Sequence, residues 1–171
     1  MYDLFIQSWN FIGDNIASVI AGCALVLTIV EIHLSQRHNR LSAKPYLTTF
    51  SNKGTDKQRK WANVELMNNG TGPAFIKSFK VYHEGNFVCD TDYDEIETFL
   101  TQTLPKECNH HFETLGKDYS MPVNEKRNLL MLEFSVDASE HDPKTIINKF
   151  DLVVDYESIY GQKFTYDSRE D

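Results

Sequence analysis

Cys108-Asn109-His110-His111-Phe112-Glu113 gathers four side chains of metal-ligating type within six residues. Structural zinc is held by two such pairs separated by a loop, and no second pair is present, so the cluster reads as chance proximity. Asp90-x-Asp92-x-Asp94 begins like a calcium loop. It then places Glu95 at the sixth position, which needs Gly, and Thr101 at the twelfth, which needs Glu. A helix N-terminus with acids that complement its dipole explains the run better. For nucleophilic or phosphate chemistry there is no Gly-x-Ser-x-Gly, His-Glu-x-x-His, Walker loop or Cys-x-x-Cys. The sequence therefore leads to no catalytic residue, no metal ligand and no cofactor site, and the chain is read as a non-enzyme.

Two polar segments remain as binding or architectural candidates. Asn68-Asn69-Gly70-Thr71-Gly72-Pro73-Ala74 reads as a tight structural turn between core strands. Asn69, Gly70 and Gly72 supply residues tolerant of positive φ, and Pro73 fixes the exit. Its amides also suggest a small anion nest. The loop with Lys53, Lys57, Arg59 and Lys60 is a solvated hairpin tip that doubles as a partner loop. At strand rise it lies ~20 Å from the start of the preceding strand, which makes it a protein-partner site rather than a lipid site.

What positions these segments begins at the N-terminus. From Leu4 to Val30 the one charged side chain is Asp14, and the first Lys or Arg is Arg37. About 20 mostly apolar residues cross a bilayer as a helix, so a single transmembrane helix is expected, including Phe11 and Ile12 at one end and Ile32 and Leu34 at the other. A secretory signal needs a basic n-region, and Asp3 stands there without Lys or Arg. A buried helix of a soluble domain is the competing reading, because the strictly apolar part is short. Trp9 marks one interface, and Arg37, Arg40 and Lys44 mark the other. Positive charge stays in the cytoplasm, so the N-terminus is expected outside a bacterial inner membrane and the rest inside. Gly13, Ala17, Ala21, Ala24 and Thr28 share one helix face, and small residues let helices approach closely in lipid. Self-association into a homo-oligomer is expected.

Composition supports this division. Residues 1–34 hold three acids and no base; residues 35–171 hold 22 acids and 17 bases. A net charge of −8 argues against duplex nucleic acid, whose binding runs on phosphate neutralisation. Three cysteines, Cys23, Cys89 and Cys108, fit free thiols in a reducing compartment.

The expected organisation is an N-terminal segment and membrane helix over 1–34, a basic connector over 35–44, a β-domain over 45–167 and a frayed tail over 168–171. Strands are expected over 46–50, 61–67, 75–82, 87–89, 129–136, 150–156 and 163–167, with one near 110–115. Helices are expected over 92–104 and after Asp142-Pro143. The fold class is mainly β, a membrane helix followed by a β-sandwich or small barrel, with α+β as the alternative.

Three features together carry a resemblance: the single N-terminal helix with a basic exit, the turn Asn69-Gly-Thr-Gly72-Pro73-Ala74, and Tyr156-Glu-Ser-Ile-Tyr-Gly161 in a terminal hairpin. The chain resembles a group of poorly characterised bacterial membrane-anchored proteins with a cytosolic β-domain, often found in anti-phage defence loci. The resemblance implies a membrane effector held quiet by, or triggered through, its soluble domain. The layout is also similar to transmembrane β-barrel effectors of cyclic-oligonucleotide signalling, which have two membrane helices where this chain shows one. The expected function is a membrane-anchored sensor or effector that binds a protein partner or small ligand. A passive tether and a cyclic-nucleotide receptor are the alternatives.

Overall fold

The computed structural model describes residues 2–136 and 141–170; in the first helix, side chains are described at residue 13 and from residue 15 onward. The chain divides into two compact units between Ser42 and Ala43.

The first unit is one helix, α1 (Tyr2–Ser42). Its stretch Asn15–Ser42 is long and apolar enough to cross a membrane, and none of its apolar window is buried. An apolar face of that kind needs covering by lipid or protein. The expected connector is helical through Ser42. Helix α1 stops there because Pro45 pushes Lys44 out of the helical region. The interface position Trp9, and Asp14, lie outside the described side chains.

The second unit is a two-sheet β-sandwich, mostly antiparallel β with open edges, and not a closed barrel. One sheet has the order β1 (Leu47–Thr55), β2 (Arg59–Asn68), β7 (Lys126–Ser135), β5 (Asn109–Phe112). The other runs β4 (Asn86–Asp90), β3 (Ala74–His83), β8 (Phe150–Glu157), β9 (Lys163–Asp167), with β6 (Ser120–Met121) added on β3. Strand alternation sends Leu66, Leu132 and Phe134 of the first sheet and Ile76, Phe79 and Val154 of the second into one core.

The helices obey their local signals. Asp92 caps α2 (Tyr93–Thr103) by accepting from the amides of Asp94 and Glu95, and Ile96 and Leu100 enter the core. Asp142 caps α3 (Pro143–Ile147), with Pro143 in the first turn. Glu84 and Gly85, both at positive φ, make the two-residue β3–β4 turn.

Strand β7 begins at Lys126, three residues before the expected start, β5 ends at Phe112, and β6 is an added short strand; the first strand and the tail differ more. Strand β1 continues to Thr55, because Ser51 to Thr55 pair with Val64 to Lys60 despite their polarity. The tail expected to fray forms a 3-10 turn over Ser168–Glu170 instead. There Ser168 Oγ accepts from the Leu152 amide, and the Arg169 guanidinium sits 4.7 Å from the Tyr82 ring centre.

Asp155 laces the outer face of the second sheet. Its carboxylate accepts from Ser78 Oγ at 2.8 Å, Lys80 Nζ at 3.0 Å and Thr165 Oγ1 at 2.8 Å. Burial pushes its pKa up, but these hydrogen bonds outweigh it and hold the carboxyl below its ordinary value. A depressed carboxylate contributes stability that is present above its unfolded pKa and is lost as pH falls through the folded one. The denaturant midpoint should therefore drop below about pH 4, and Asp155→Asn should flatten part of that drop; an unchanged profile would contradict the assignment.

Candidate functional site

The β2–β3 turn is built around Asn68, which is fully buried. Its Oδ1 accepts from the amides of Tyr46 at 3.2 Å and Gly70 at 3.0 Å. Its Nδ2 donates to the carbonyls of Gly72 at 2.9 Å and Met121 at 3.1 Å. A carboxamide has two donors and two acceptor positions, and all four are used. The main chain adds more: Asn69 N donates to Tyr46 O at 2.7 Å, and Thr71 N to Lys44 O at 2.9 Å. The turn is a clasp over residues 43–46, the stretch by which the chain enters the sandwich.

The glycines serve this contact, not the expected backbone twist. Among the described residues only Gly85 and Gly161 are glycines with positive φ, so Asn69, Gly70 and Gly72 do not use that freedom. A Cβ on Gly70 would lie 2.4 Å from Tyr46 N, and one on Gly72 2.2 Å from Ala43 O. They are glycine because another stretch of backbone passes against them. Nor are the amides an anion nest, because Asn69, Gly70 and Thr71 donate to Tyr46 O, Asn68 Oδ1 and Lys44 O. Pro73 lies at the exit into β3.

A second feature lies between the sheets. On the β1 face that begins with buried Leu47, Thr49 is half-buried and Ser51 exposed, so the apolar lining gives way to hydroxyls toward the rim. The sheets leave a cavity of about 210 Å³ there. Thr49 and Ser51 line one side and Val81 and Leu152 the other; Phe112 and Leu130 also line it, as do Asn148 and Ser168. Thr49 Oγ1 is 2.6 Å from the Tyr166 hydroxyl. The pocket is half open to solvent. The slot is not visible in a first strand that ends at Phe50; the alternation of Thr49 and Ser51 on the Leu47 face is the one local signal of it.

The basic residues Lys53, Lys57, Arg59 and Lys60 do not form one loop. Lys53 lies in β1, and Arg59 and Lys60 in β2, around a turn at 56–58. Arg59 is engaged by Glu133 at 3.2 Å and Asp56 at 3.6 Å. At strand rise the turn lies ~30 Å along β1, farther than a five-residue strand implied.

The metal-type cluster is dispersed. Successive residues on β5 alternate, leaving His111 exposed while His110 Nε2 meets Glu97 Oε1 at 3.2 Å. Cys108 is buried, and its Sγ lies 3.6 Å from Asn109 O. Burial pushes both the Cys89 and Cys108 thiols up to about 11, so neither is a ready thiolate. Among the described residues no group of three or more His, Cys, Asp or Glu is placed to hold a metal. Asp90 accepts from the Phe79 amide, and Asp92 is the α2 cap, so the acidic run is spent on structure.

On α1, Gly13, Ala17, Ala21, Ala24 and Thr28 fall within an arc of about 80° at 100° per residue. All five are exposed. Thr28 Oγ1 donates to Ala24 O at 2.8 Å, which leaves the face free of an unmet donor.

No protein-family model matches the chain, and no curated protein matches its sequence.

Replacing Asn68 by Ala orphans four buried or half-buried groups and should cost roughly 3 kcal/mol or more, at ~1 kcal/mol per lost hydrogen bond. Gly72→Ala should destabilise strongly because its Cβ meets backbone, whereas Gly116→Ala, with open space around it, should be near neutral. Urea unfolding of the three variants checks this ordering.

Proposed function

We propose that the protein is a single-pass membrane sensor or effector without catalytic activity. Its helix associates with copies of itself in the bacterial inner membrane, and its cytosolic sandwich takes a small ligand or protein partner. The reading rests on one observation above the others: an exposed apolar helix with a face of small residues leads into a sandwich whose entry segment is held by buried hydrogen bonds. A strand gripped in this way shifts together with the sheet that carries it. Ligand binding between the sheets, beside β1, then changes the same strand that the chain enters.

The orientation follows from Arg37, Arg40 and Lys44 after the apolar stretch, with no base before it. The slot lining contains no Lys or Arg and one acid, Asp151. That favours an uncharged ligand over a phosphorylated one, and so weighs against the cyclic-nucleotide alternative. A role in anti-phage defence is the context in which such an effector fits.

Ala17→Leu with Ala21→Leu should fill the small face without lowering apolarity. The oligomer measured in detergent should shrink and membrane leakage on activation should fall. Unchanged size and leakage would overturn the self-association reading. Exchanging the whole helix for an unrelated membrane helix separates the rivals, since a passive tether keeps its activity and a self-assembling effector loses it.

A further inference from the structure

The end of the sandwich where the chain enters carries a concentration of apolar surface. Outside α1, seven large hydrophobic side chains are exposed among the described residues, and four of them lie at this end: Tyr46, Val123, Ile159 and Tyr160. Their placement is fixed by hydrogen bonds. Tyr46 O receives the Asn69 amide, and Asn124, next to Val123, donates to Asn68 O. The Leu47 amide reaches the Tyr156 hydroxyl, two residues before the β8–β9 tip.

That tip is a rigid display. Ser158, almost fully buried, accepts from the amides of Tyr160 and Gln162 through Oγ, and Gly161 sits at positive φ. The turn holds Ile159 and Tyr160 outward at 59% and 49% exposure. Two adjacent apolar side chains on a hydrogen-bonded hairpin tip make a wedge with no role in the core.

Charge at this end is opposite to that of the domain. The carboxylates Asp118 and Glu157 are matched by Lys77 at 2.7 and 3.7 Å, and Glu125 by Arg127 at 3.1 Å. Lys44 lies 5.6 Å from the Phe164 ring centre, and Lys163 stands across the β8–β9 ladder from Glu157, whose carboxylate is 3.7 Å from Lys77. An acidic domain thus presents the exposed lysines Lys44 and Lys163 where its Tyr and Ile side chains are exposed.

We propose that this end of the sandwich is an interfacial membrane-docking surface, with the Ile159-Tyr160 tip seated among the headgroups and Lys44 and Lys163 facing anionic lipid. The inference rests on the anchored reading above. Tyrosine favours the interface because its ring is apolar and its hydroxyl is polar. Basic residues beside it gain from an anionic leaflet within a Debye length. The spacing permits it. From Leu34 to Ser42 the helix rises ~12 Å, which clears the headgroup layer of roughly 5–8 Å outside a ~30 Å hydrocarbon core by only about a side chain's length. Docking would hold the β8–β9 hairpin, one wall of the sandwich, at the bilayer, and a ligand-driven shift between the sheets would act against that contact.

The test uses the full-length protein in anionic lipid nanodiscs at one copy per disc. In a background with Trp9→Phe and Trp61→Phe, Tyr160→Trp places the sole indole on an exposed position. Its emission should be strongly quenched by lipids brominated high on the acyl chain, and quenching should fall several-fold when Lys44→Glu and Lys163→Glu are added. A chain that enters the discs while the introduced indole stays unquenched overturns the docking surface and leaves the anchor standing. A chain that fails to enter the discs removes both readings. Quenching indifferent to the two charge reversals overturns the anionic-surface assignment. Shielding from an aqueous quencher only when two copies share a disc would make a second copy the occupant, and would also overturn it.

Discussion

Asn68 is a buried amide with no unmet hydrogen-bonding position, and three separate pieces of chain depend on it: residues 44–46, the β2–β3 turn and β6. The carbonyls of Gly72 and Met121 would otherwise be buried unpaired, at a cost of the order of 1–3 kcal/mol per group, and the half-buried amides of Tyr46 and Gly70 would lose their acceptor. The side chain thus replaces the strand pairing that is missing where the sandwich ends and the chain arrives from α1. Gly70 and Gly72 complete the arrangement by removing the side chains that would prevent so close an approach. A buried polar network of this kind is stable only while every member is satisfied, so the entry segment is tied to the sheet through Asn68.

A second constraint explains why the sheets do not close on one another beside β1. Strand β1 pairs along its whole length with β2, yet on its Leu47 face the side chains turn to Thr49 and Ser51. Backbone hydrogen bonding keeps the strand in the sheet, while the small hydroxylic side chains do not fill the space facing Val81 and Leu152. The cavity is the consequence of a strand held by its backbone and under-packed by its side chains. Interiors are otherwise close-packed, and apolar groups beside an opening lose contacts that a ligand restores.

Much of the fold was legible because alternation is a strong signal wherever apolar residues mark one face. Ala62, Val64 and Leu66 placed β2; Leu130, Leu132 and Phe134 placed β7; the pairs Asp92 and Asp142 with their following residues placed both helix starts. Legibility failed where structure is fixed by distant backbone. Ser51 to Thr55 carry no apolar phase, and only their pairing partners make them a strand. The glycines of the clasp look like φ-permissive turn residues, but their purpose lies in residues 43–46, some 27 positions away. The tail after Tyr166 looked free because its partners, Leu152 and Tyr82, are equally remote in sequence. Of the site, the small face of α1 and its basic exit were readable from local spacing. The slot was not, because a cavity is a property of two sheets facing each other and leaves only a faint trace in either strand.

The account stands on α1 lying in a bilayer with the sandwich on the cytoplasmic side. Protease digestion of intact spheroplasts carrying the protein with an N-terminal tag tests this most directly, with mass analysis of the membrane fraction. The expected result is an uncleaved chain that stays with the membrane, loses its tag to external protease and keeps residues 43–170 protected. Recovery of the full-length chain from the aqueous fraction without detergent, a mature chain lacking its first helix, or digestion of the sandwich from outside would contradict it.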